Sequence, residues 1–443
     1  MGNMKKINAF SDEAKNISIL VYSKHFVNDS EKLEYFFNAA KLGRVKICFT
    51  PFEQTETVLR IPEYIQFCKY SVVRMDRQIR NTIQFPSGRE ISLIVPQEEM
   101  SEEYCYDEIE RVIKRIDARD YGFHYAVCSD EWEGLKDCKF STIPFLKCRE
   151  VLRLFLIANE DFSFTEGFET NEHSYYIYRH KVMFRKLQGF WSASVAKGGE
   201  LEWEGALDNR LKLIALSLDK VQIETLKRQD NTRSMYLQYH IGYLLLLITG
   251  TFDNLAWIIN NLYRLNLDRM KIDIVKREFS NAISSKSNKM ARVLSDENTK
   301  RRVLAIRELR DRVVHRDFID TISTIEQDEK IYIWIDEIAA NKLLIGDLPS
   351  SAIKLKIGNC LCIDCFDFSQ YLQRCVVFVV NSIGPIGLTP DVLVVSDDAG
   401  YQGIIDNKAY SKYSISNDHH NRMVENYIKR IDNYSPSSLA HYG

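Results

Sequence analysis

"PDVLVVSDDAGYQGIIDNKAY" occupies residues 390–410. A proline and an aspartate open an apolar strand. A loop follows, and a second apolar run ends in Asp406-Asn407-Lys408. Hydrolysis of a phosphodiester with a bound divalent cation needs hard oxygen ligands that converge on one point. Asp391, at the start of one strand, and Asp406, near the end of the next, supply two carboxylates. A backbone carbonyl from Asn407 supplies a third ligand. Lys408 stands two residues beyond Asp406 and so shares its strand face. There its ammonium can orient or help deprotonate an attacking water and offset developing negative charge. The plain alternative is a β-hairpin, turning at 396–403, whose second strand has a solvated polar end.

The rest of the chain sets bounds on that reading. With 443 residues it is long enough for about two to four domains with sizeable cores. Hydrophobic residues at 45% and charged residues at 27% describe a globular protein and exclude a disordered or fibrous one. A net charge of −2 means that a nucleic-acid partner has to be met by a local basic cluster. The first ten residues, MGNMKKINAF, hold no apolar segment of signal-peptide type. The longest uninterrupted apolar runs, 243–248 and 375–380, are shorter than a bilayer span. We therefore expect a cytoplasmic protein without membrane contact, whose ten cysteines are reduced thiols.

Residues 1–198 mix strand and helix signals. Strand-like runs lie at 17–26, 44–52, 70–75 and 90–96. Helices are expected at 30–41, capped by Asp29 or Ser30, and at 103–118, where Ile109, Val112, Ile113 and Ile116 recur at helical spacing. Small residues and two glycines at 192–205 mark a boundary. Residues 199–330 look all-helical. The stretch 234–265 reads as one long, largely buried helix or a kinked pair with weak points at Gly242 and Gly250. A polar loop is expected at 284–289. An amphipathic helix is expected at 296–318, with Asp296 as its cap and Val303, Ile306, Val313 and Phe318 on one face. From 331 onward strands return, followed by a helix at 368–382 and the opening stretch.

Around the two aspartates and the lysine, the order PD, then GIIDNKAYS, then a Tyr-rich loop and a helix carrying Met423 and Tyr427, resembles the cleavage domain of FokI-type restriction endonucleases, of the PD-(D/E)xK nuclease fold. The resemblance covers residues 390–431. It implies Mg²⁺ held by Asp391 and Asp406, Lys408 as the catalytic lysine, double-stranded DNA as substrate, and a homodimer. Two departures stand out. The tail NYSPSSLAHYG carries no strand signal where the family continues with a strand and a helix, so an element of the sheet is expected to be missing unless the chain is truncated, a split gene product or a decayed enzyme. The helix before Pro390 carries no glutamate, and Asp364 and Asp367 are the nearby acids.

A second constellation is RELRDRVVHRDF, residues 307–318. Arg310 and His315 are five apart, about 140° round a helix, and Asp311 and His315 are four apart, within hydrogen-bonding reach. An arginine to bind phosphate and a histidine to move a proton suffice for metal-independent RNA cleavage through the 2′-hydroxyl. This Arg-Asp-x-x-x-His on a late helix resembles the HEPN domain and implies an RNase site across a dimer at Arg310, Asp311 and His315. The plain reading is a charged helix face, since Lys300, Arg301, Arg302, Arg307, Arg312 and Arg316 make the region basic anyway. A third cluster, Cys360, Cys362, Cys365 and Cys375, lacks the paired turns of a structural zinc site and reads as core thiols. His419 and His420, adjacent in sequence, read as surface residues.

The expected fold class is α+β and multidomain. A mixed α/β domain over 1–198 would serve recognition or partner binding. An all-α, HEPN-like bundle covers 199–330, and an α/β, PD-(D/E)xK-like segment covers 331–443. Three functions compete: a metal-dependent DNA endonuclease, a HEPN-type ribonuclease, and a non-catalytic helical dimer that binds a partner.

Overall fold

The structure is a computed structural model. It describes residues 9–10, 14–42, 44–50, 65–75, 78–96, 117–132, 141–161, 171–184, 187, 202–227, 231–315, 321–323, 331–336, 353–357 and 360–387. These are mixed α/β and fall into two compact units, one up to Asp161 and one beyond it.

The strands of the first unit are β1 (Ile17–Val21), β2 (Val45–Phe49), β3 (Gln66–Phe67), β4 (Lys69–Met75), β5 (Gln78–Gln84), β6 (Glu90–Pro96), β7 (Tyr125–Cys128) and β8 (Thr142–Pro144). Five form a parallel sheet in the order β3-β2-β1-β7-β8. Such a sheet is covered on both faces, which is why β1 and β7 are almost continuously apolar. The crossover from β1 to β2 is α1 (Ser30–Ala40), and Asp29 caps it by accepting from the Lys32 amide at 3.1 Å. Its Phe36 packs edge-on against Phe49 of β2. The other three strands, β4 to β6, form an antiparallel meander. Leu20, Cys48 and Cys128 share a core with Ile83 and Phe85 of and beside β5.

The unit ends with α2 (Phe145–Ala158). Two of its charged side chains, Glu150 and Arg153, are buried and bonded to each other, with Arg153 Nε donating to Glu150 Oε2 at 3.2 Å. Of the helix expected at 103–118, residues 103–116 lie outside the described residues. Ala118–Tyr121 form a 3-10 turn capped by Asp117.

A neutral histidine sets a pH limit for this unit. His124 Nδ1 accepts from the Ser18 amide at 2.9 Å, and burial pulls its pKa from 6.5 down to about 4. The unfolded chain then takes up a proton that the folded chain refuses. The stabilisation is fully present above pH 6.5 and is lost as the pH falls toward 4, with a slope of up to ~1.4 kcal/mol per pH unit in that window. Thermal melts from pH 7.5 to 4.5 should show a falling midpoint for the wild type. His124→Asn should flatten that slope, and an equal slope in the variant assigns the effect elsewhere.

The second unit is built on helices α3 (Glu172–Met183), α4 (Glu202–Leu226), α5 (Asn231–Leu262), α6 (Arg277–Ser284), α7 (Asn288–Ser295) and α8 (Glu297–His315). Strands β9 (Thr321–Ser323), β10 (Ile331–Asp336), β11 (Ile353–Ile357) and β12 (Cys360–Asp364) form an antiparallel sheet in the order β11-β12-β10-β9, and α9 (Cys365–Gly387) follows. Helix α3 joins this unit through His180 Nε2 and Asp208 Oδ1, 2.9 Å apart, and through Tyr176 donating to Asp219 at 3.2 Å. Residues 202–205, expected as part of a boundary, are the first turn of α4.

α5 is one continuous helix of 32 residues and packs against α4, α8 and α9. Gly242 and Gly250 are points of close approach inside it. A Cβ at Gly242 would stand 3.1 Å from Val313 of α8, and one at Gly250 would overlap the Arg210 guanidinium of α4. Single apolar runs understate this helix. Thr232–Leu262 is long enough to cross a membrane, and an 18-residue stretch within it reaches mean hydropathy 1.4, yet 72% of that stretch is buried inside the fold, as in a core helix. The polar loop expected at 284–289 narrows to 285–287, because α7 starts at Asn288 under a Ser287 cap. Asp296 caps α8 as expected, its carboxylate accepting from the Thr299 amide at 2.8 Å. Of the apolar face expected on α8, Val303 and Ile306 are buried, and Phe318 lies outside the described residues.

Candidate functional site

The helix ahead of Pro390 is α9, and it starts where β12 stops. Asp364, the last residue of the strand, accepts from the amides of Phe366 and Asp367 at 2.9 and 3.1 Å. This carboxylate is buried at a helix start, so the acid nearest in type to an extra metal ligand already has a structural task. α9 then buries Phe368, Leu372, Cys375, Val376, Val379 and Ile383 against a bundle that includes α4, α5, α7 and α8. The Arg302 guanidinium of α8 lies 3.8 Å from the centre of the Phe378 ring. Asn381 donates to the Met183 carbonyl of α3 at 3.2 Å. Asp391, Asp406, Asn407 and Lys408 lie outside the described residues, as do His419 and His420.

Helix α8 carries the second set of candidates. Arg310 is 28% exposed and pairs with its neighbour Asp311 at 2.9 Å. Its Nε is buried with no hydrogen-bond partner. His315 is the last residue of α8, and its side chain lies outside the described set. Much of the basic run is already neutralised. Arg307 bonds Asp273 at 2.8 Å and Asp253 of α5 at 3.0 Å, and Arg312 and Lys300 have Glu308 and Glu297 beside them. No local signal marks Arg307 as a clamp between elements, since its partners are far away along the chain.

The cysteines fit the core reading. Cys362, Cys365 and Cys375 are buried and form no disulfide, and burial holds the Cys365 thiol well above its usual range. Among the described residues no three His, Cys, Asp or Glu side chains group as a metal site. The oxygens that Asp391, Asp406 and the Asn407 carbonyl could offer are all hard, a donor type that suits Mg²⁺.

Comparison with known families places a nuclease-type segment at the C-terminal part of the chain. Residues 368–442 match the family described as FokI, cleavage domain. The match takes in most of α9 and the whole of the opening stretch. It covers under a fifth of the chain. No curated protein and no solved structure matches the chain.

Proposed function

We propose that the chain is a metal-dependent DNA endonuclease of restriction type that cuts double-stranded DNA through Asp391, Asp406 and Lys408. The observation that carries this reading is the family match over 368–442, within which the PD pair at 390–391 and the DNK triplet at 406–408 stand in the order the chemistry needs. Asp391, Asp406 and the Asn407 carbonyl would hold Mg²⁺, which supplies Lewis-acid charge at the scissile phosphate. Lys408 positions a water in line with the leaving 3′-oxygen and offsets charge on the phosphate. The new P–O bond forms as the P–O3′ bond breaks, leaving a 5′-phosphate, and solvent returns a proton to the 3′-oxygen. In this reading residues 1–198 recognise DNA or a partner protein, 199–330 assemble the protein as a homodimer, and 331–443 cut.

One observation favours a second reading. Arg310 and Asp311 are paired near the end of α8 in a helical bundle, and the Arg310 Nε has no hydrogen-bond partner. A HEPN-type ribonuclease would use Arg310 for phosphate and His315 for proton transfer, without metal. A single experiment separates the two readings: supercoiled plasmid and single-stranded RNA, each with Mg²⁺ and with EDTA. Plasmid nicking that needs Mg²⁺ supports the DNA endonuclease. RNA cutting that survives EDTA and is lost in His315→Ala replaces it.

A further inference from the structure

The solvent-facing ridge of α5 has the wrong chemistry for a free surface. Up to Asp253 its exposed positions are Thr232, Met235, Tyr236, Tyr239, Tyr243, Leu246 and Asp253 itself. From Thr232, positions 236, 239, 243, 246 and 253 follow at heptad spacing, the period of a helix seam that faces another helix. Exposure of the five large side chains runs from 38% at Tyr243 to 66% at Met235. The Tyr239 and Tyr243 rings lie parallel, with centroids 6.4 Å apart. Between Arg233 and Asp253 the helix carries no Asp, Glu, Lys or Arg, whereas an unpartnered ridge of this length normally carries several.

The area is enough to matter. Taking about 200 Å² for each whole side chain, the five leave about 500 Å² of apolar and aromatic surface in water. Two copies meeting there bury about 1,000 Å², the size at which a specific interface begins. Tyrosine is also among the residues that anchor such contacts.

We propose that this ridge of α5 is a self-association surface, covered by the same ridge of a second copy of the chain across a two-fold axis near Tyr243. The ridge is self-complementary in that arrangement. With the axis at Tyr243, Tyr239 comes level with position 247 and so beside exposed Leu246 of the partner subunit. Tyr236 comes opposite Gly250 of the partner subunit, where the Arg210 guanidinium already lies over the glycine. The charged ends, Arg233 and Asp253, are equally far from residue 243 and come face to face. α8 runs antiparallel beside α5, since Gly242 meets Val313 while Asp253 pairs with Arg307. The proposal rests on the reading that residues 199–330 assemble the protein as a homodimer, and on neither catalytic site.

The test is the mass of the full chain by sedimentation equilibrium at micromolar concentration. The wild type should sediment as a dimer. Tyr239→Glu should weaken association at least about tenfold, with an unchanged far-ultraviolet spectrum. Tyr243→Cys, oxidised with copper phenanthroline, should give a covalent dimer through a symmetric disulfide, and this variant keeps the test sharp if Tyr239→Glu folds poorly. A wild type that stays monomeric, including one that floats with phosphatidylcholine vesicles, overturns the proposal. So does a dimer that neither variant affects. Lys408→Ala should leave the mass unchanged, so failure here and failure of the nuclease reading are separate results.

Discussion

Lys408→Ala should abolish Mg²⁺-dependent nicking of supercoiled plasmid, lowering the rate by a factor of about a hundred to a thousand or more. That is the cost of removing one preorganised positive group from the place where transition-state charge develops. The change leaves both carboxylates in place, so cation binding should persist. Protection of the chain by Mn²⁺ in a thermal melt is therefore expected in Lys408→Ala and lost in Asp406→Ala. This split separates a lysine that acts on water and phosphate from one that merely supports the fold. Equal nicking by wild type and Lys408→Ala would remove this lysine from the mechanism. Nicking that continues in EDTA would remove the metal.

The second large effect concerns stability. Glu150→Ala in α2 should cost the protein ~3–5 kcal/mol, because it takes the carboxylate away from a guanidinium that is itself buried. Glu150→Gln keeps the shape and a hydrogen-bond acceptor and should cost clearly less. Replacing both partners with leucine and methionine should recover much of the loss, since an apolar pair has no charge to desolvate. Urea unfolding followed by tryptophan fluorescence measures all three. A Glu150→Ala midpoint equal to that of the wild type would show that the rest of the Arg153 environment holds its charge at no cost.

Local signals in the chain are reliable where they rest on short-range physics. Asp29 and Asp296 cap the helices they precede, because a cap is decided within four residues. The apolar runs at 17–26 and 44–52 contain β1 and β2. Strand β5, QIRNTIQ, is hard to read because only Ile79, Asn81 and Ile83 point inward, and one of these is polar. Strands β7 and β8 are only four and three residues long, too short for a period to register. Helix α2 is masked by Arg149, Glu150 and Arg153, which read as surface residues but are buried. Nothing local says that two opposite charges will neutralise each other inside a core. Of the candidate sites, the Arg310–Asp311 pair is visible in the fold. The PD and DNK residues are legible through their order and spacing, and they remain a chemical argument tied to the family match.

The junction of β12 and α9 bears on protein engineering. The segment that matches the cleavage family starts at residue 368, one turn into a helix whose apolar side chains are seated among α4, α5, α7 and α8. A graft that takes residues 368–442 onto another DNA-binding protein would strip that helix of its neighbours and leave a greasy, aggregation-prone handle. A workable transplant has to carry the helical scaffold along or repaint α9 with polar residues. The matched segment is therefore poorly suited to being detached from its scaffold.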